Sequence, residues 1–213
     1  MEPQFWHSRW QANEIGFHEG RPNDLLVAHL SDLDLEKDAR LFVPLCGKAQ
    51  DLPWLASQGF GVVGVELSAA AVAQLFAEAG VKPTIARAGT LTRYSGGGMT
   101  IYAGDLFALT REDIGEIDAI YDRASLVALP HGMRTRYAAK LHELAGTAKR
   151  LLITFEYDQL LADGPPFSIG DAEIARLFGS DYTAEKREDR EVAGGLKGKT
   201  PAREAAWILT PTP

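Results

Sequence analysis

Arg40-Leu41-Phe42-Val43-Pro44-Leu45-Cys46-Gly47-Lys48 is the stretch whose reading decides the fold. Its apolar run, Leu41 to Leu45, is short enough for a buried strand and too short for a helix. Cys46-Gly47-Lys48 then turns the chain tightly. Asp51 to Gln58 follows with helical spacing: Leu52, Leu55 and Ala56 share one face, and Gly59 is suited to stop the helix. Gly61-Val62-Val63-Gly64-Val65-Glu66 reads as a second buried strand. Ser68 is a good cap for the alanine-rich run Ala69 to Ala79, which Gly80 closes. Strand, helix, strand, helix at about 20-residue spacing predicts a parallel sheet with crossover helices.

Working outward, Thr84 to Arg87 is expected to be the third strand. Leu91 to Tyr94 and Met99 to Ala103 flank Ser95-Gly96-Gly97-Gly98 and predict a hairpin inserted at that strand's end. Asp118 to Tyr121 is a further strand, ending in Asp122-Arg123. Pro130 opens a helix with Met133, Tyr137, Leu141 and Leu144 on one stripe. Leu151 to Tyr157 is another strand, Asp163-Gly164-Pro165-Pro166-Phe167 a rigid loop, and Asp171 the expected cap of a helix through Phe178. Tyr182 to Arg190 and Ala205 to Leu209 form a late strand pair, joined through the polar, glycine-rich Gly194 to Thr200, expected to be a mobile loop. Upstream, Phe5, Trp6 and Trp10 suit one face of a short helix, and Pro22-Asn23-Asp24 opens another. The predicted class is α/β: a Rossmann-like, doubly wound, mostly parallel sheet of about seven strands with an antiparallel last strand. One domain is expected over residues 1–213, with residues 1–30 as a helical cover.

The bulk properties narrow the function. The 213 residues carry a net charge of -7, which disfavours nucleic acid, whose phosphates need clustered Lys and Arg. It also disfavours a polybasic membrane anchor. The lone Cys46 fits a reducing compartment, and no secretory leader or membrane span is read. A cytoplasmic, monomeric protein is the expectation.

Ligands of doubly wound sheets sit at the carboxyl ends of the strands. A dinucleotide site would show G-x-G-x-x-G at the first exit, because pyrophosphate needs several close backbone approaches. Here Pro44-Leu45-Cys46-Gly47-Lys48-Ala49 has a single glycine, and no G-x-x-x-x-G-K-[ST] loop follows. Glu66 closes the second strand, about 20 residues on, where an acid accepts both hydroxyls of a ribose; an ordinary acid at a helix N-terminus is the alternative. A ribose acceptor without a phosphate loop points to a nucleoside ligand lacking pyrophosphate, a description S-adenosylmethionine fits. Asp105, after the strand Met99 to Ala103, is placed either at an adenine edge or as a turn cap. Asp122-Arg123 ends the next strand, where transferred group and acceptor would meet; a buried Arg–Asp clamp is the alternative.

Phe5-Trp6-x-x-x-Trp10, Gly16-Phe17-His18, Val43-Pro44-Leu45-Cys46-Gly47-Lys48, Asp51-Leu52-x-Trp54-Leu55, Gly64-Val65-Glu66-Leu67-Ser68, Gly104-Asp105-Leu106-Phe107, Tyr121-Asp122-Arg123-Ala124 and Asp163-Gly164-Pro165-Pro166-Phe167 occur in this order. The set resembles the bacterial thiopurine S-methyltransferase family, from the N-terminus to about residue 190. The resemblance implies a class I S-adenosylmethionine-dependent methyltransferase. It implies cofactor contacts at Trp10, Leu45, Glu66 and Arg123, with Phe17 beside the acceptor. Gly194 to Thr200 departs from the family's more aromatic and basic strand pair, in a region that helps to wall the acceptor pocket.

The expected roles follow. Glu66 holds the ribose; Leu45 and Gly47 offer backbone contacts to the cofactor's amino-acid end; Asp105 meets the adenine edge. Trp10 closes over the cofactor, with a cation–π contribution of roughly 0.5–2 kcal/mol. Arg123 lies near the acceptor, which Phe17 and His18 line, and Cys46 is a packing residue. No metal is expected, since the histidines form no H-x-x-x-H pair. The acceptor is expected to be a small thiol or a selenium or tellurium species. A small oxygen or nitrogen acceptor, or a non-catalytic cofactor-binding module, are the competing readings.

Overall fold

The aromatic spacing at the N-terminus folds as predicted into helix α1 (Pro3–Gln11). Asn23 then opens α2 (Asp24–His29): its side-chain oxygen accepts the amides of Leu25 and Leu26, at 3.0 and 3.3 Å. The computed structural model describes residues 3–12 and 18–212. The apolar run becomes β1 (Arg40–Val43), followed by α3 (Asp51–Ser57) and β2 (Gly61–Glu66). Ser68 caps α4 (Ala69–Glu78) by accepting the Ala71 amide at 3.3 Å. Next come β3 (Thr84–Ala88), β4 (Leu91–Gly96) and β5 (Met99–Ala103). Thr110 and Asp113 form a reciprocal capping box on the short α5 (Arg111–Ile114). The chain closes with β6 (Ala119–Arg123), α6 (His131–Ala145), β7 (Lys149–Glu156), α7 (Asp171–Phe178), β8 (Tyr182–Glu191) and β9 (Arg203–Pro211).

All the strands join one sheet in the order β3-β4-β5-β2-β1-β6-β7-β9-β8. The run β5-β2-β1-β6-β7 is parallel, and both flanks are antiparallel. Alternation along each strand sends side chains to two faces. Leu41 and Val43 enter one core with Leu52, Leu55, Leu75 and Phe76; Phe42 enters the other with Tyr137, Leu141 and Leu144. The sheet is therefore buried on both faces, as a doubly wound parallel sheet requires.

The structure corrects three expectations. Among the described residues the sheet has nine strands, not about seven. Thr84–Ala88 is the third strand in chain order, as expected, while the strand beside β2 is β5, whose Met99, Ile101, Tyr102 and Ala103 are buried. Thr84, Ile85 and Arg87 of β3 are exposed, so that strand takes the sheet edge, two places from β2's neighbour. Asp171 does not cap α7: Gly170 holds the cap position, and the Asp171 carboxylate accepts from Lys186 Nζ at 2.8 Å. The Gly194 to Thr200 segment is pinned rather than loose. Leu196 and Thr200 exchange backbone hydrogen bonds of 2.7 and 3.1 Å, and Leu196 packs with Tyr157 and Ala202.

Candidate active site

The β1 exit is built from backbone that side chains resist. Leu45 has φ 44° and Gly47 φ 55°, both left-handed. For a residue such as Leu45 that conformation costs about 1–2 kcal/mol, so the turn must be held from outside. Cys46 between them is buried, and its amide donates to the Val65 carbonyl at 3.0 Å. Gly64 allows this approach: a Cβ there would lie 3.0 Å from Cys46 Sγ and from Ile101 Cδ1.

Glu66, at the end of β2, supplies the main restraint. Its Oε2 accepts the Gly47 amide at 3.0 Å, and its Oε1 accepts the Ser68 amide at 2.8 Å. One buried carboxylate thus ties the β1 exit to the start of α4. Burial pushes its pKa up to about 6, against the downward pull of the amides from Ser68 and Gly47. A carboxylate has about four acceptor positions, so some capacity remains beyond the amides of Ser68, Gly47 and Leu67. That leaves Glu66 equipped for a vicinal diol, and the loop beside it carries no glycine-rich phosphate cradle. The residues present fit a nucleoside without pyrophosphate.

Asp105 caps the single turn Leu106–Ala108, its Oδ1 accepting the Phe107 amide at 3.0 Å. It sits beside Glu66 through Gly104, whose amide donates to the Glu66 carbonyl at 2.8 Å. Gly104 has φ 141°, and a Cβ there would come within 2.4 Å of Leu91 Cδ2. The Asp105 side chain is exposed at the strand ends.

On β6, Asp122 and Arg123 part company, as neighbours on a strand must. Asp122 is buried and accepts from Tyr137 Oη at 2.7 Å and the Leu126 amide at 3.2 Å. Burial raises its pKa. Arg123 instead meets Glu19, its Nη2 donating to Oε1. The Arg–Asp clamp weighed from the sequence is not formed; Arg123's carboxylate partner comes from the N-terminal segment. The turn after β6 places Ala124 at φ 61°, and Ser125 Oγ donates to the Pro44 carbonyl at 2.6 Å. This bond locks the β6 exit against the β1 exit.

His18 joins the same edge. Its Nε2 lies 4.0 Å from Glu78 Oε2, while Glu78 also takes Lys48 Nζ at 2.6 Å and Gln50 Nε2 at 3.2 Å. Burial, and then the Lys48 charge, lower the His18 pKa. Trp10 is buried at the end of α1. Phe17 lies outside the described residues. Leu45, Gly47, Glu66, Asp105, Arg123 and His18 thus meet at one end of the sheet.

Sequence reasoning missed a second layer. Asp51, read as a helix start and as part of one family block but given no role in the site, is buried and accepts the Asn23 amide at 2.6 Å and Tyr121 Oη at 3.1 Å. Burial raises its pKa. Asn23 Nδ2 in turn reaches Glu19 Oε2 at 3.4 Å. The available signal was position: Glu19 directly follows Gly16-Phe17-His18, and an acid beside expected acceptor residues invites a cationic partner.

Solved structures with the same fold include the 1,6-didemethyltoxoflavin-N1-methyltransferase of Burkholderia thailandensis, bound to its 1,6-didemethyltoxoflavin and S-adenosylhomocysteine. It is 16% identical, with a TM-score of 0.66, covering 98% of this chain and 87% of that one. A TehB-like S-adenosylmethionine-dependent methyltransferase of Corynebacterium glutamicum is 14% identical, with a TM-score of 0.57, covering 99% and 98%. The fold is that of the S-adenosylmethionine-dependent methyltransferases. The model of the thiopurine S-methyltransferase (TPMT) family matches residues 1–207, and the chain belongs to this family. Relatives named thiopurine S-methyltransferase include one from Xanthobacter autotrophicus, 51% identical and covering 98% of this chain and 99% of the relative. Another, from Gluconobacter oxydans, is 46% identical, covering 98% and 95%. The protein is accordingly a methyltransferase with S-adenosylmethionine as its cofactor. Among the described residues, no helix is long and apolar enough to cross a membrane.

Proposed function

We propose that this methyltransferase moves the methyl group of S-adenosylmethionine to a thiol, such as a thiopurine or aromatic thiol, or to a related selenium or tellurium acceptor. The observation that carries the site is Glu66, buried, with both oxygens on backbone amides and acceptor capacity left for a ribose. Family membership and the names of the relatives support the thiol class.

When bound, the cofactor supplies an activated methyl on a sulfonium. The chain's own work is then to hold and align. Glu66 takes the ribose hydroxyls, Leu45 and Gly47 present backbone to the amino-acid end, and Asp105 sits at the adenine edge. Trp10 closes over the cofactor as part of the cover formed by residues 1–30, within one domain spanning the chain. Arg123 lies by the acceptor, with Phe17 and His18 lining that side. Alignment of this kind supplies on the order of 7–11 kcal/mol in favourable cases, and a soft thiolate asks for little more.

We place the protein in the cytoplasm as a monomer: its one cysteine, Cys46, is a buried free thiol, and the outer strand β8 is studded with charge.

Incubation with methyl-labelled S-adenosylmethionine and a panel of thiols, catechols, amines and selenite tests the reading. Label on sulfur or selenium is the expected result. Label on oxygen or nitrogen overturns the acceptor class, and binding without transfer to anything overturns the enzyme reading.

A further inference from the structure

We infer that Glu19 is a specificity-determining residue, an internal counter-ion on Arg123 that an anionic acceptor must displace and a neutral acceptor need not. The inference rests on the placement of Arg123 beside the acceptor proposed above.

The geometry is that of a seat built for a removable carboxylate. The Arg123 side chain is 10% exposed, whereas that of Glu19 is 41% exposed. A guanidinium taken this far out of water needs a negative partner, and Glu19 Oε1 provides it. The second oxygen, Oε2, is steadied by Asn23 Nδ2 at 3.4 Å. Asn23 cannot follow if Glu19 swings away. Its amide is fixed to Asp51 Oδ1 at 2.6 Å, and its side-chain oxygen caps α2. The partners of Glu19 are thus rigid while Glu19 itself faces solvent.

Charge gives the consequence. A guanidinium carries five N–H donors in a planar fork, and an incoming carboxylate or thiolate competes with Glu19 for the same fork. Asp51, a second acid within electrostatic reach of Arg123, is buried and committed to Asn23 and Tyr121, so it cannot exchange. Glu19 is the group that moves. Its presence lowers affinity for anionic acceptors and leaves neutral ones untouched.

The test compares benzoate with benzamide, near-isosteric probes, one anionic and one neutral, that carry no sulfur to be methylated. Both are titrated into the full chain loaded with S-adenosylhomocysteine, as wild type, Glu19→Gln and Glu19→Asp. Glu19→Gln is expected to bind benzoate roughly three- to tenfold tighter, the scale of a partly screened ion pair, with benzamide unchanged. Glu19→Asp keeps the charge and is expected to restore the wild-type ratio. An unchanged benzoate-to-benzamide ratio in Glu19→Gln, equal weakening of both probes, or no benzoate binding to any of the three proteins overturns the inference. In turnover, Glu19→Gln should lower KM for a carboxylate-bearing thiol more than for its neutral amide counterpart. Wild type that transfers label to no thiol would sink the proposed function instead, and the benzoate-to-benzamide ratio would still decide the role of Glu19.

Discussion

Glu66 and Gly47 are joined across the first crossover by a 3.0 Å hydrogen bond from amide to carboxylate. The residue that would bind the ribose also shapes the loop that would bind the rest of the cofactor. Replacement by Gln keeps the size and removes the charge. Hydrogen bonds to a charged group contribute about 1.5–3 kcal/mol. Glu66→Gln is therefore expected to weaken S-adenosylmethionine binding roughly 10- to 100-fold by calorimetry, with an unchanged circular dichroism spectrum. Equal affinity in the two proteins would remove Glu66 from the site.

The same residue makes stability and binding respond to pH in opposite directions. Its pKa is about 6 in the folded chain, raised from 4.5 by burial. The folded state therefore holds the proton more tightly than the unfolded one. The stabilising contribution is full below about 4.5 and is lost as pH rises through about 6, a change of roughly 2 kcal/mol. Cofactor binding needs the ionised acid as acceptor, so affinity should rise over that window. Denaturant titrations and calorimetry between pH 5 and 7 should show both trends in wild type, and Glu66→Gln should show a smaller fall in stability and no rise in affinity.

Tyr137→Phe tests the other acid. It leaves the buried Asp122 Oδ2 without its 2.7 Å donor. An unsatisfied buried acceptor costs about 1–3 kcal/mol, so the urea midpoint should fall. Cofactor affinity should stay within about twofold, because Asp122 faces the core rather than the ligand edge. A large loss of affinity with normal stability would place the pair in the site after all.

Cys46 is expected to be inert. Burial pushes its thiol pKa well up, and only the thiolate reacts. A water-soluble thiol reagent should modify it only after unfolding, and Cys46→Ala should retain methyl transfer. Rapid modification of the native protein would contradict its burial.

Gly64→Ala probes how closely the second strand passes the first exit. The new methyl would press on Cys46 Sγ and Ile101 Cδ1, both 3.0 Å away, and on the Val43 carbonyl at 3.3 Å. Overpacking of this kind costs about 1–3 kcal/mol. Adding Cys46→Ala should recover part of the loss, as a double-mutant cycle would show.

The parallel heart of the fold was legible in the sequence because its signals are local. An apolar run, a Ser68 cap and a closing Gly80 all fall within the 20 residues from Gly61 to Gly80. The neighbour of β2 was not, since strand order depends on which segment can bear burial on both faces, and Met99–Ala103 outcompetes Thr84–Ala88 there. Glu66 was legible from its place at the end of an apolar strand. The Arg123–Glu19 pair was not, because its members stand 104 residues apart and no periodicity links them. Asp51 was hidden for a simpler reason: an acid at the first turn of a helix already has a sufficient local explanation in the dipole.

A sheet that ends in an open strand invites another chain to extend it. β8 pairs with β9 on one side only. It reads Glu185-Lys186-Arg187-Glu188-Asp189-Arg190-Glu191, seven charged residues in succession and of both signs. Any strand laid along it would have to desolvate charged side chains. The ladder is thus stopped by hydration, and the bulge between Lys186 and Glu188 bends the edge out of register for an incomer. The row's nearly balanced signs let it resist fibre growth without giving that flank a strong net field.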